Sequence, residues 1–274
     1  MKLPKYLLLN KQVGETPLEV LENFKKENHT YAAVPMSYAG RLDPLASGKL
    51  LVLVGEECKK QKKYQGLDKE YEFEVLLGFS TDTRDVLGIA DTHNTFPAEM
   101  PNTHAITKVI KNLAGKRSMA YPAFSSKTVN GTPLFKYALE GRLHEIEIPK
   151  KDIEIYSLTH KSTKEIPKFK LFSLMSQKIE SIKPVTEHTK ALGNDFRRSE
   201  IRTRYKELES SISEDQKIYI LKCTCICSSG TYMRTLAREI ANMMGYEGLA
   251  FSIHRTKIGK YVKYGPFGFW KKLY

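Results

Sequence analysis

Hydrophobic positions recur along this chain with two periods, and each period predicts an element. Alternation is clearest in Tyr71-Glu72-Phe73-Glu74-Val75-Leu76-Leu77, which predicts a strand with Tyr71, Phe73, Val75 and Leu77 on its core side. The same period runs over residues 217–227, so Cys223, Cys225 and Cys227 share one strand face. Leu50 to Val54 is apolar throughout and reads as a strand, as does the shorter Tyr6 to Asn10. Helical spacing appears in residues 103–114, on Ile106, Val109, Ile110 and Leu113. It returns from about Thr231 to Met244, with Met233, Leu236, Ala237, Ile240, Met243 and Met244 in one stripe and Gly245 as the stop. Thr16-Pro17-Leu18-Glu19 is a capping box with Pro at the first helical position. The helix it opens carries Leu18, Leu21 and Phe24 and ends near Lys26 to Asn28. A further helix is expected over residues 133–142, closed by Gly141. With no regular βαβ rhythm and no repeat of about 20–50 residues, the class is α+β with a mixed sheet.

Between about 160 and 216 the pattern changes to scattered charge, Ser and Thr, with fragments such as Gly193-Asn194-Asp195-Phe196-Arg197-Arg198. This stretch reads as an inserted lobe with short strands of its own. Removing residues 165–212 is expected to harm ligand binding more than folding.

Composition narrows the class. The 274 residues are 41% hydrophobic and 27% charged, enough to bury a core. The run Leu50 to Val54 is far short of the ~20 apolar residues of a membrane span. The apolar stretch in Met1 to Leu9 breaks too soon for a secretory signal. A cytoplasmic protein with no membrane association is expected. Four cysteines, three in a C-x-C-x-C strand, do not converge as zinc ligands do, so reduced, buried thiols and no metal are expected. Lys+Arg number 44 against 31 Asp+Glu, a net charge of +13 spread along the chain, which favours a polyanionic partner.

Candidate chemistry is sparse. Asp43 lies in Gly40-Arg41-Leu42-Asp43-Pro44-Leu45-Ala46-Ser47-Gly48, a stiff loop feeding an apolar strand, as suits a nucleophile or general base. An Asp-Pro turn explains the same residues. Tyr71 opens its strand at the rim of the core, where a ring can stack on a base or simply pack. Arg234, in the first turn of the last clear helix, suits a carboxylate or phosphate partner, or a solvated flank. Asp82 and Asp85 fit a polar turn better than a metal pair. No Walker loop, dinucleotide fingerprint, nucleophile elbow or zinc-protease motif occurs.

Four blocks, taken together and in order, resemble the TruB family of tRNA pseudouridine synthases. They are Gly40–Gly48; Lys69-Glu70-Tyr71 running to Thr81-Asp82-Thr83-Arg84-Asp85 and Gly88; Tyr121-Pro122-Ala123-Phe124-Ser125 with Val129-Asn130-Gly131; and Cys227-Ser228-Ser229-Gly230-Thr231-Tyr232-Met233-Arg234-Thr235-Leu236. The resemblance covers about residues 6–160 and 217–264. It implies the pseudouridine synthase fold, with a mixed, mostly antiparallel sheet and flanking helices. It implies a single catalytic domain over residues 1–274, with the lobe at about 160–216 and without the C-terminal PUA domain of many members. It further implies isomerisation of a tRNA uridine, in the T-arm at position 55, by a monomer that uses no cofactor. Another tRNA or rRNA uridine, or an RNA-folding role without catalysis, is the alternative. By resemblance Asp43 is the nucleophile or the base that starts glycal formation. Arg234 would pair with it, and Tyr71 would stack on the uracil and take part in proton removal from carbon 5. Tyr232 and Ile253 would line the pocket, and Lys11 would brace the loop. Arg41, and Tyr38 where the family usually carries His, would meet the substrate.

Overall fold

The structure is a computed structural model and describes residues 3–91, 95–182, 197–265 and 267–271. In chain order it contains β1 (Tyr6–Lys11), α1 (Pro17–Glu27), β2 (Met36–Ala39), β3 (Ala46–Val54), α2 (Gln61–Gln65) and β4 (Asp68–Leu77). Next come α3 (Thr103–Leu113), β5 (Gly115–Ala120), the small pair β6 (Thr128–Val129) and β7 (Thr132–Pro133), and α4 (Leu134–Leu139). The chain continues through β8 (Lys150–Glu165), α5 (Lys168–Ser181), α6 (Arg198–Ser211), β9 (Tyr219–Cys227), α7 (Met233–Met243), β10 (Gly248–Tyr264) and β11 (Phe267–Lys271).

One nine-stranded sheet, ordered β1-β3-β10-β4-β9-β8-β5 with β2 on β3 and β11 on β10, organises the molecule. Its pairings are antiparallel except β10 on β3, so the expected α+β class with a mixed, mostly antiparallel sheet and flanking helices holds. The two faces carry separate cores. On one, α3 and α7 cover Tyr71, Phe73, Val75 and Leu77 of β4 and all three cysteines of β9, as the alternation predicts. On the other, α5 and α6 cover Leu76, Phe79, Ile220, Leu249 and Phe251. Each such large apolar side chain contributes about 1.5–3 kcal/mol on burial. Helix α1 seals Leu50 and Val52 at the β3 end.

The parallel β3–β10 contact fixes the place of the chain that enters β3. Gly48, opposite Arg255, has φ +103°, and a Cβ there would sit 2.3 Å from the Arg255 carbonyl oxygen. Only glycine permits that approach. It brings Ile253 and Arg255 alongside the loop of residues 40–45.

Several expectations need correction. The lobe carries helices, not short strands, in its described part, and β8 runs past residue 160 to Glu165. Leu171, Phe172, Met175 and Ile179 in α5, and Ile201, Tyr205 and Leu208 in α6, keep helical spacing beneath the charges that obscured it. Because these side chains enter the second core, removing residues 165–212 would also cost folding. The fragment at residues 193–196 lies outside the described residues. In α1 the buried residues are Pro17, Val20 and Leu21, while Leu18 faces solvent. Met243 is likewise exposed, whereas Met244, just past the end of α7, packs against the first core. Helix α4 spans only residues 134–139 of the predicted 133–142. No described helix is long and apolar enough to cross a membrane.

Candidate active site

The loop joining β2 to β3 is held at both ends by buried cations. Antiparallel pairing sets Lys11 opposite Gly48. From there its fully buried Nζ donates to the carbonyls of Ala46 (2.6 Å), Gln12 (2.9 Å) and Pro44 (3.4 Å). Burial lowers its pKa to about 8. At the other end Arg255, 1% exposed, donates from Nη2 to Gly40 O (3.1 Å) and from Nε to Lys49 O (2.7 Å). Lys69 also flanks Gly40, and burial, reinforced by the Arg255 charge, lowers its pKa to about 7.

Between these clamps stands Asp43. Its carboxylate is 41% exposed and lies 2.8 Å from Nε of Arg234, whose side chain is only 5% exposed. Asp85 supplies a second carboxylate at 3.6 Å. Nη1 of Arg234 donates to Thr83 O (2.9 Å) and Nη2 to Phe124 O (3.0 Å). The guanidinium therefore joins three chain segments. Burial opposes its charge, but Asp43 and Asp85 outweigh that cost and raise its proton affinity. Burial pushes the Asp85 carboxyl up, against the pull of Arg234 and of hydrogen bonds from Thr83 Oγ1 and the Leu87 N–H.

Tyr71 and Ile253 pack in one cluster with Leu42 and Ala46, which flank Asp43, and Tyr232 packs against that cluster. Burial raises both Tyr71 and Tyr232 to about 12, and the Asp43 charge adds to each. Tyr232 meets Tyr121 edge-on at 5.6 Å. The arrangement presents one accessible carboxylate, oriented by a buried arginine and bordered by aromatic rings. Such a site suits nucleophilic or acid–base chemistry beside a flat ring. Among the described residues, no group of three or more His, Cys, Asp or Glu is placed to hold a metal ion.

The structure thus brings Lys11, Asp43, Tyr71, Tyr232, Arg234 and Ile253 to one place. It does not bring Tyr38 there: that ring lies opposite Val52 and packs in the α1 cluster with Val20 and Leu21. Arg41 is exposed on the loop, where its carbonyl takes a long contact of 3.5 Å from Arg255. Sequence reasoning missed Arg255, and it named Lys69 and Asp85 as motif members without their structural use. Strand alternation carried a signal for the first two, since Lys69 precedes Tyr71 by two positions and Arg255 follows Ile253 by two. Nothing in the sequence marked Phe124 O or Thr83 O as acceptors.

Comparison with known proteins adds an independent line. A family model described as "TruB family pseudouridylate synthase (N terminal domain)" matches residues 28–178. The tRNA pseudouridine synthase B of Borreliella afzelii (strain PKo) is 29% identical over 254 residues, 93% of this chain and 69% of the relative. That of Bacillus velezensis is 30% identical over 256 residues, 93% of this chain and 65% of the relative. Among solved structures, one titled "Crystal Structure of a Cbf5-Nop10-Gar1 Complex" aligns with a TM-score of 0.51 at 15% identity. It covers 93% of this chain and 48% of that chain, a likeness of fold.

Proposed function

From membership of the TruB family of pseudouridylate synthases, to which the chain belongs, we propose that the residues around Asp43 isomerise the uridine at position 55 in the T-arm of tRNA. The chain is an isomerase that converts uridine to pseudouridine in tRNA. In that reaction the N1–C1′ bond breaks and a C5–C1′ bond forms. Carbon 5 gives up a proton and N1 gains one, so atoms and electrons balance without a co-reactant.

In this reading the Asp43 carboxylate acts on the ribose, either as nucleophile at C1′ or as the base that starts glycal formation. Arg234 orients it through the 2.8 Å ion pair. Tyr71 stacks on the freed uracil and takes part in removing the carbon-5 proton. With its pKa near 12 it stands as a neutral phenol at physiological pH, so it relays that proton, releasing its own O–H proton as it accepts, and does not act as a phenolate base. Tyr232 and Ile253 line the pocket, and Lys11 braces the loop. Arg41, exposed on the loop, meets RNA outside the reacting nucleotide. Extruding the uridine costs a few kcal/mol, which contacts between phosphates and the basic surface offset. The working unit in this proposal is a monomer in the cytoplasm; sedimentation of the active enzyme tests the first point, and a dimer at assay concentration would correct it.

The observation that carries the reading is an accessible carboxylate held by an otherwise buried guanidinium. Carbodiimide mapping of tRNA incubated with wild type and with Asp43→Asn tests it. Product at position 55 with wild type alone is expected. Product at another uridine would reassign the target, and product with Asp43→Asn would end the role given to Asp43.

A further inference from the structure

Arg234 ties the residue 80s turn to the residue 120s segment from inside the site, through Thr83 O and Phe124 O. A second arginine ties the same two segments from outside. Arg197, the N-cap of α6, donates from Nη1 to Asp82 Oδ2 at 2.5 Å. Its guanidinium carbon also stands 4.7 Å over the Phe124 ring. The residues gripped are the neighbour of Thr83 and Phe124 itself.

We infer that Arg197 is a positioning residue for the Asp43–Arg234 pair, acting through the two segments that hold Arg234; the inference rests on Asp43 being the catalytic carboxylate. Three observations support it. Arg197 holds a left-handed backbone conformation, φ 61° and ψ 21°, which is uncommon for a residue with a side chain and persists where surroundings enforce it. Asp82 is itself fixed, since its Oδ1 accepts from the Ile89 N–H at 2.9 Å across the turn. Seven residues further along α6, Arg204 Nε donates to Ala90 O at 3.0 Å, at the far side of the turn that the Thr81–Ala90 bridge closes. Helix α6 therefore grips this turn at both margins. The Arg197–Asp82 pair is half-buried, and its energy alone is modest. Its leverage is geometric, because a displacement of Thr83 O or Phe124 O moves the guanidinium that aims Asp43.

Steady-state kinetics of the full chain on a T-arm RNA test this. Arg197→Ala is expected to lower kcat about tenfold while KM stays within about twofold. Arg197→Lys, which keeps the charge toward Asp82, should recover part of that loss. Asp82→Asn retains the acceptor for Ile89 but loses the ion pair, and should lower kcat similarly. The double variant Arg197→Ala with Asp82→Asn should be no worse than the weaker single variant, since both break one connection. An unchanged kcat, additive losses, or a raised KM at constant kcat would overturn the inference, the last by making Arg197 an RNA contact. So would a kcat loss that matches the unfolded fraction seen by circular dichroism. Asp43→Asn run in parallel separates the two levels: turnover by that variant removes the catalytic reading and this inference with it. An inactive Asp43→Asn beside an unimpaired Arg197→Ala removes the inference alone.

Discussion

The loop of residues 40–46 and the α5–α6 pair are anchored to the same sheet by different balances of polar and apolar force. Beside the buried Leu42 and Leu45, the loop hangs on hydrogen bonds from Lys11 to Pro44 O and Ala46 O and from Arg255 to Gly40 O, and on the ion pair of Arg234 with Asp43. The helices are held by a continuous apolar seam of Leu171, Phe172, Met175, Ile201, Tyr205 and Leu208 against the sheet. A polar clamp specifies residue identity, because donor length and geometry must match. An apolar seam specifies only residue class and volume. Chemistry is concentrated in the first region and stability is drawn from the second, and substitutions should separate accordingly.

The largest effect belongs to the loop. Asp43→Ala should lower turnover by about a thousandfold or more, the scale seen when a covalent or general-base group is lost. Affinity for tRNA should stay within a few-fold, since phosphate contacts supply most of it. Pseudouridine formation and filter binding at one salt concentration measure the two quantities. A tenfold or greater loss of binding would merge the roles this comparison keeps apart.

The seam predicts the reverse signature. Phe172 packs edge-on to Phe79 at 6.3 Å, and Phe79 to Phe96 at 5.1 Å. Phe172→Ala should cost about 3–5 kcal/mol of stability in urea denaturation, as buried Phe truncations do, with turnover per folded molecule retained. A cost under about 1 kcal/mol would mean that α5 lies on the core without belonging to it.

These contrasts explain what could be read in advance. Tyr71, Phe73, Val75 and Leu77 were legible because period two survives in a strand with one buried face, and α3 and α7 were legible because their apolar stripes are nearly unbroken. Asp43 and Arg234 were legible as members of short motifs, but their ion pair joins residues 191 positions apart and emerges only from the sheet order. Helices α5 and α6 were missed because Lys, Glu and Arg crowd the turns between their apolar positions. Tyr38 was misplaced because a motif neighbour in sequence need not be a neighbour in the site: two residues after Tyr38 the chain turns at Gly40, with φ +84°.

A pH dependence tests the polar clamp more finely. Lys69 sits near 7 when folded, chiefly from burial and then from Arg255, against 10.5 in the unfolded chain. Between those values the unfolded state binds more protons, so stability rises with pH through the window, and below it the cost of the buried charge is fully present. Lys11, near 8, acts in the same direction, whereas Tyr71, raised toward 12, opposes only above its ordinary 10. Urea midpoints at about pH 7 and about 9.5 should therefore climb more in wild type than in Lys69→Met. Equal climbs would show that Lys69 is solvated in the folded protein.

The smallest effect returns to the helices. Arg202 of α6 makes a two-pronged contact with Glu180 of α5, at 2.6 and 2.7 Å. Its geometry is as good as that of the Asp43–Arg234 pair, yet its side chains are 40% and 50% exposed, where Arg234 is 5% exposed. Water and salt screen such a pair, and ordering two long side chains offsets part of its attraction. Arg202→Gln should cost at most about 1 kcal/mol, and the cost should shrink further as ionic strength rises. A loss above about 2 kcal/mol that persists in high salt would place the alignment of α5 and α6 under polar control. The contrast between a clamped loop and an apolar seam would then be one of degree, because the same guanidinium–carboxylate device would be fastening both.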